Sequence, residues 1–215
     1  MFTNIAIKDL LILVLSICSF LISIITLYKT QFSNARIRIF AGEHLNLGHF
    51  KEGNFQVTLP VILINSGVKT GVIRRFALLI QDPNSEDGYL LEPYFYQKID
   101  EAGTFQHESQ PAPVTIAGKQ NLAKLILFRS SMERPTEFQL LNTGTYIFTL
   151  LSWTNNSGNP DIADSFSVTI SPETATQLYF DFKNKTGKTT QITQENWLKW
   201  RAKSLAANQI KAVLK

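Results

Sequence analysis

The chain has 215 residues, of which 44% are hydrophobic and 18% charged, a mix that can bury a core and so excludes wholesale disorder. Its formal net charge of +4 is unevenly laid out. Residues 29–182 carry 12 Lys and Arg against 15 Asp and Glu, whereas residues 183–215 carry 8 against Glu195 alone. The one cysteine, Cys18, excludes a disulfide within the chain, which suits a cytosolic domain or an exported one with a core of its own.

After a short lead (1–9), Leu10 to Leu27 form 18 residues without a charge. At ~1.5 Å per residue a helix of this length covers ~27 Å, close to the hydrocarbon thickness of a bilayer. The predicted transmembrane helix is 10–28, with Leu10, Leu13, Leu15, Phe20, Leu21, Ile24 and Leu27 facing lipid. Tyr28 is an interfacial aromatic, and Lys8 and Lys29 are snorkelling ends. Three other readings compete. A cleaved signal peptide has a core of roughly 7–15 residues and a small-residue site; Ser33-Asn34-Ala35 resembles such a site but lies late. Leu15-Ser16-Ile17-Cys18 is a poor lipoprotein box, with bulky Ile17 at the cleavage position and apolar sequence beyond. A buried core helix leaves a uniformly apolar terminal segment little to hide in. The spanning signal-anchor is the expectation. The cations after the helix (Lys29, Arg36, Arg38) favour a cytoplasmic domain by the positive-inside rule. That rule weakens beside long domains, and the short lead favours an extracytoplasmic one.

The period then changes to two. Phe55, Val57, Leu59, Val61 and Leu63 mark one strand, with Pro60 predicting an edge position or a bulge. Further strand expectations fall on Arg36–Phe40, Val72–Gln81, Tyr89–Ile99, Leu122–Phe128, Tyr146–Trp153, Ser165–Ser171 and Gln177–Lys183. In the last of these, Leu178, Phe180 and Phe182 alternate with polar residues. Turn signals separate them at Asn65-Ser66-Gly67, Asp82-Pro83-Asn84, Ala117-Gly118-Lys119 and Asn155 to Pro160. About eight strands without intervening helical patterns predict a mainly β domain over 35–182, built from hairpins and Greek keys.

Asn142-Thr143-Gly144-Thr145-Tyr146-Ile147-Phe148 resembles the tyrosine corner of immunoglobulin-like and fibronectin-like sandwiches, where a Tyr hydroxyl bonds back to the backbone. Asn142 stands where Asp is usual and Phe148 where the second core Cys would be. The resemblance implies an immunoglobulin-like antiparallel β-sandwich serving as a binding or spacer module.

Chemistry-bearing clusters are few. Glu43, His44, His49 and Glu52 could ligate a metal, but their spacing matches no zinc pattern and the segment reads as a loop. Asp82, Asn84, Glu86 and Asp87 before Gly88 depart from the EF-hand spacing and read as a hairpin loop. Ser66-Gly67 lacks a nucleophile elbow, no phosphate loop is present, and Asp100-Glu101 reads as a solvated pair. No catalytic residue, cofactor or metal site is predicted.

The tail splits into a linker (183–193) and a basic helix (194–215) capped by Thr193. Leu198, Ala202, Leu205, Ala206, Ala212 and Val213 lie on one arc, and Trp197, Lys199, Trp200, Arg201 and Lys203 are candidate membrane or partner contacts. Nucleic acid is a lesser candidate partner, because no reading motif accompanies the charge. The functional expectation is a membrane-tethered, non-enzymatic interaction or scaffold domain contacting another envelope or membrane protein. The alternatives are a membrane-anchored metal-binding or hydrolytic domain, and a cytoplasmic adaptor whose basic helix grips the bilayer.

Overall fold

The computed structural model describes residues 2–50, 54–82, 88–130, 142–156 and 158–193, with side chains from Lys8 to Ile192. Helix α1 (Phe2–Leu27) runs into one wider π turn, Tyr28–Phe32. Strands β1 (Ile37–Ala41), β2 (His44–His49), β3 (Phe55–Asn65), β4 (Gly71–Ile73), β5 (Arg75–Gln81) and β6 (Gly88–Ile99) follow. Then come β7 (Phe105–Ser109), β8 (Val114–Ile116), β9 (Gln120–Ser130), β10 (Gly144–Trp153), β11 (Ile162–Ile170), α2 (Pro172–Lys183) and β12 (Thr189–Thr193). Strands predominate among the described residues, so the fold is mainly β.

Ten strands form one antiparallel sheet in the order β11-β10-β5-β6-β9-β3-β2-β12, with β1 also on β3 and β7 also on β6, while β4 and β8 pair separately. The sheet curls. Its two ends approach where the N–H of Ala41 on β1 donates to Asp164 Oδ2 on β11 at 2.9 Å. Burial pushes the Asp164 carboxyl above its ordinary range, partly offset by that hydrogen bond. The alternating inward residues fill the curl: Phe55, Phe76, Phe128 and Phe148 are fully buried together with Leu59 and Ile80, each contributing roughly 1.5–3 kcal/mol.

The expectation for Pro60 needs correction. Strand β3 is internal, with β9 along one edge and both β2 and β1 along the other. On that second edge β2 pairs Phe55–Thr58 and β1 pairs Val61–Asn65. The Pro60 carbonyl accepts from Gly42 N–H at 2.7 Å, so its nitrogen faces the same side. The missing donor falls at the changeover between partners, where it costs the ladder only the second bond of the Gly42–Pro60 pair.

Residues 177–183 are helix rather than strand. Ser171 caps α2, its Oγ accepting from Thr174 N–H at 3.2 Å, with Pro172 in the first turn. The buried face is Leu178 and Asp181, three apart. Phe180, inward in the strand reading, is 57% exposed. The linker expected over 183–193 contains β12, paired to β2 from Thr189↔Gly48 to Thr193↔His44. The segment around His44 and His49, read as a loop, is β2, where Leu45 and Leu47 alternate into the core. The lead 1–9 is not separate, because α1 already begins at Phe2. The helix expected over 194–215 lies outside the described residues, as does most of the 82–88 loop.

Candidate functional site

Lys8 to Phe32 is a helical stretch of 25 residues long and apolar enough to cross a membrane, with none of its apolar window buried in the rest of the chain. The expected lipid-facing residues Leu10, Leu13, Leu15, Phe20, Leu21, Ile24 and Leu27 are all exposed. Two hydroxyls along this helix are satisfied internally. Ser23 Oγ donates to the Ser19 carbonyl and Thr30 Oγ1 to that of Thr26, both at 2.8 Å. A helix in lipid must find partners for its polar groups in this way, since no water is at hand.

Between Phe32 and β1 the chain is tied to the β3–β4 loop. The Ser33 carbonyl accepts the N–H groups of Val68 and Lys69, both at 3.3 Å, and the Arg36 carbonyl accepts Ser66 N–H at 3.0 Å. Lys69 Nζ donates to Asn34 Oδ1 at 3.3 Å.

One side chain organises these contacts. Asn65, 1% exposed, accepts at Oδ1 from Arg36 N–H (3.1 Å) and Gly67 N–H (3.0 Å). Its Nδ2 donates to the carbonyls of Lys69 (2.8 Å), Ile116 and Ala117 (both 3.2 Å). An amide has two N–H donors and one two-lone-pair acceptor, all engaged here, one N–H being shared between two of the three carbonyls. Asn65 thus joins the strap after α1, the β3–β4 loop and the β8–β9 loop. The backbones approach so closely that a Cβ at Gly67 would strike the Asn34 carbonyl oxygen, and one at Gly118 the Val68 carbonyl.

Other sequence candidates are dispersed. His44 and His49 stand at opposite ends of β2, ~17 Å apart at strand rise. His49 is buried, its ring 5.3 Å from Phe55 and 5.0 Å from Phe182. Among the described residues no group of three His, Cys, Asp or Glu could hold a metal ion. Asp100 caps its own turn, Oδ1 accepting from Ala102 and Thr104 N–H and Oδ2 from Gln106 Nε2. Trp197, Lys199, Trp200, Arg201 and Lys203 lie outside the described residues. Sequence reading placed Asn65, Gly67 and Gly118 in turns only. Asn65's role was hidden because two of its partners lie more than fifty residues away.

No protein-family model matches the chain, and no curated protein matches it. Among solved structures it is similar to a FixG-related protein from Vibrio parahaemolyticus, with 8% identity and a TM-score of 0.28 over 75% of this chain and 96% of that one. A putative ApaA protein from Bordetella pertussis gives 8% and 0.28 over 76% and 96%. A beta-glucosidase from Listeria innocua gives 12% and 0.29 over 64% of this chain but 16% of its own. Superpositions this loose carry no weight for fold or function.

Proposed function

We propose that the chain is a single-pass, membrane-tethered and non-enzymatic interaction or scaffold module. Its β domain stands against the bilayer at a fixed attitude and meets another membrane or envelope protein. The observation that carries this reading is the junction: an unburied apolar helix passes straight into a strap hydrogen-bonded to the domain through Asn65. A cleavable leader has no need of so engaged a sequel.

The module is an immunoglobulin-like sandwich on the extracytoplasmic side. Supporting the sandwich, the Tyr146 hydroxyl donates to the Asn142 carbonyl at 3.1 Å, the bond expected of a tyrosine corner. The tail, with Trp197, Lys199, Trp200, Arg201 and Lys203, is an auxiliary contact.

Carbonate extraction of native membranes tests the anchor: the full-length chain stays in the pellet, and release into the supernatant overturns the reading. Protease added to intact cells degrades the domain if it faces outward and spares it otherwise. Photo-crosslinking from exposed domain positions in native membranes, read by mass spectrometry, captures one recurring neighbour if the module is an interaction domain. Scattered, position-independent adducts argue against that.

A further inference from the structure

We infer that the anchor-side rim of the domain is a seat for anionic lipid headgroups, formed by the tip of the β6–β7 hairpin and a set of cations around the Asn65 junction. It rests on the membrane anchorage proposed above and goes beyond it.

The strand register fixes which residues share this rim. Ile37, Asn65 and Gln120 stand abreast on β1, β3 and β9. On the other side of β9, Gln97 of β6 pairs with Leu125. Continuing that antiparallel register brings Ile99 level with Ala123 and the turn after it level with Gln120. The hairpin therefore points the same way as the junction that receives α1.

The rim is also close to lipid. Ser33, which is bonded to Val68 and Lys69, stands six positions after Leu27, the end of the apolar run. At helical rise that is ~9 Å, while a headgroup layer is roughly 5–8 Å deep on each side of the hydrocarbon. A domain tied at Ser33 thus begins where the headgroups end.

The exposed chemistry suits that surface. Ile99 and Phe105 are direct cross-strand partners, 59% and 41% exposed, on the last pair before the turn. The turn is held by the Asp100 carboxylate and by Asp100 N–H donating to the Thr104 carbonyl at 3.0 Å. Two apolar side chains are thereby presented on a tip that needs little further ordering to bind. Around it Lys29, Arg36, Lys69, Lys98 and Lys119 are all exposed. The acidic groups on the rim are Asp100, engaged in the turn, and Glu101. Cations beside an apolar wedge, next to an emerging helix, match an anionic bilayer surface better than a protein partner.

The test uses the full chain with Cys18→Ser, one copy per nanodisc, spin-labelled at Ala102→Cys or separately at Leu21→Cys. Discs contain phosphatidylcholine alone or with phosphatidylglycerol, and collision with a water-soluble nickel chelate is read. The seat requires that the label at 102 be shielded in the anionic discs and far less so in the neutral ones. Reversing Lys69 and Lys119 to Glu should lower the seated-to-lifted ratio by about tenfold or more. Equal access at 102 in both lipids, or shielding indifferent to the reversal, overturns the seat. The label at 21 separates the two claims: shielded at 21 but open at 102, the anchor stands and the seat falls, whereas open at both, the anchorage itself has failed.

Discussion

The two ends of strand β3 are closed by different physics. At the end next to α1, Asn65 ties three stretches of backbone with five hydrogen bonds from one amide. At the opposite end, ~34 Å away at strand rise, closure is aromatic. His49 lies against Phe55 and Phe182, and the Arg129 guanidinium sits 4.6 Å from the Phe50 ring and 4.8 Å from that of Tyr94. Directional bonds fix where a backbone lies, whereas packed rings chiefly exclude water. The end next to α1 uses the first, and the far end the second.

Four substitutions can break or sharpen that contrast, each measured on the full chain in detergent. The largest loss is expected for Phe55→Ala at the aromatic end, about 4 kcal/mol by urea denaturation from transfer and cavity costs. The Arg36 and Gly67 amides should still exchange slowly in the folded state. Next is Asn65→Leu, about 3 kcal/mol because several buried groups lose their partner, and here those two amides should exchange fast. If they stay protected, the junction does not depend on the amide. Gly67→Ala should cost about 2 kcal/mol by overpacking, with the disturbance confined to the strap and undetectable at His49. Asp164→Asn has the smallest effect and shows only in the pH profile. Because burial raises the folded carboxyl above its ordinary value of 3.8, the folded state holds its proton more tightly than the unfolded one. Stability present below that value is lost as pH rises through the raised one. The Asn variant cannot ionise and should lack that decline; an unchanged slope would assign it to another group.

Much of this architecture is written locally in the chain. The apolar run needed only its lack of charge, and Phe166, Val168 and Ile170 alternate into the core as their period requires. The misreading at 177–183 arose because Leu178, Phe180 and Phe182 satisfy a two-residue period by accident. Ser171-Pro172-Glu173, a cap, a first-turn proline and a first-turn acid, favoured the helix. Asp181 looked outward in a strand pattern yet is buried, its oxygens taken by Gln177 Nε2 and Thr186 Oγ1, both at 2.8 Å. Strand β2 was legible in Leu45 and Leu47 but overshadowed by its histidines. The Asn65 hub was not legible: an Asn before Ser-Gly is common turn chemistry, and what distinguishes this one is which remote carbonyls arrive beside it.

The position of Pro60 bears on how the chain avoids pairing wrongly. A strand of eleven residues with both edges open to partners invites a neighbour to slide along it, and a slip of one residue would turn every inward side chain to the other face. A blank in the row of donors, set between the footprints of two successive partners, gives each its own stop: β2 cannot creep forward nor β1 backward without surrendering a bond. The proline therefore works as punctuation, dividing one long template into two words that cannot be run together.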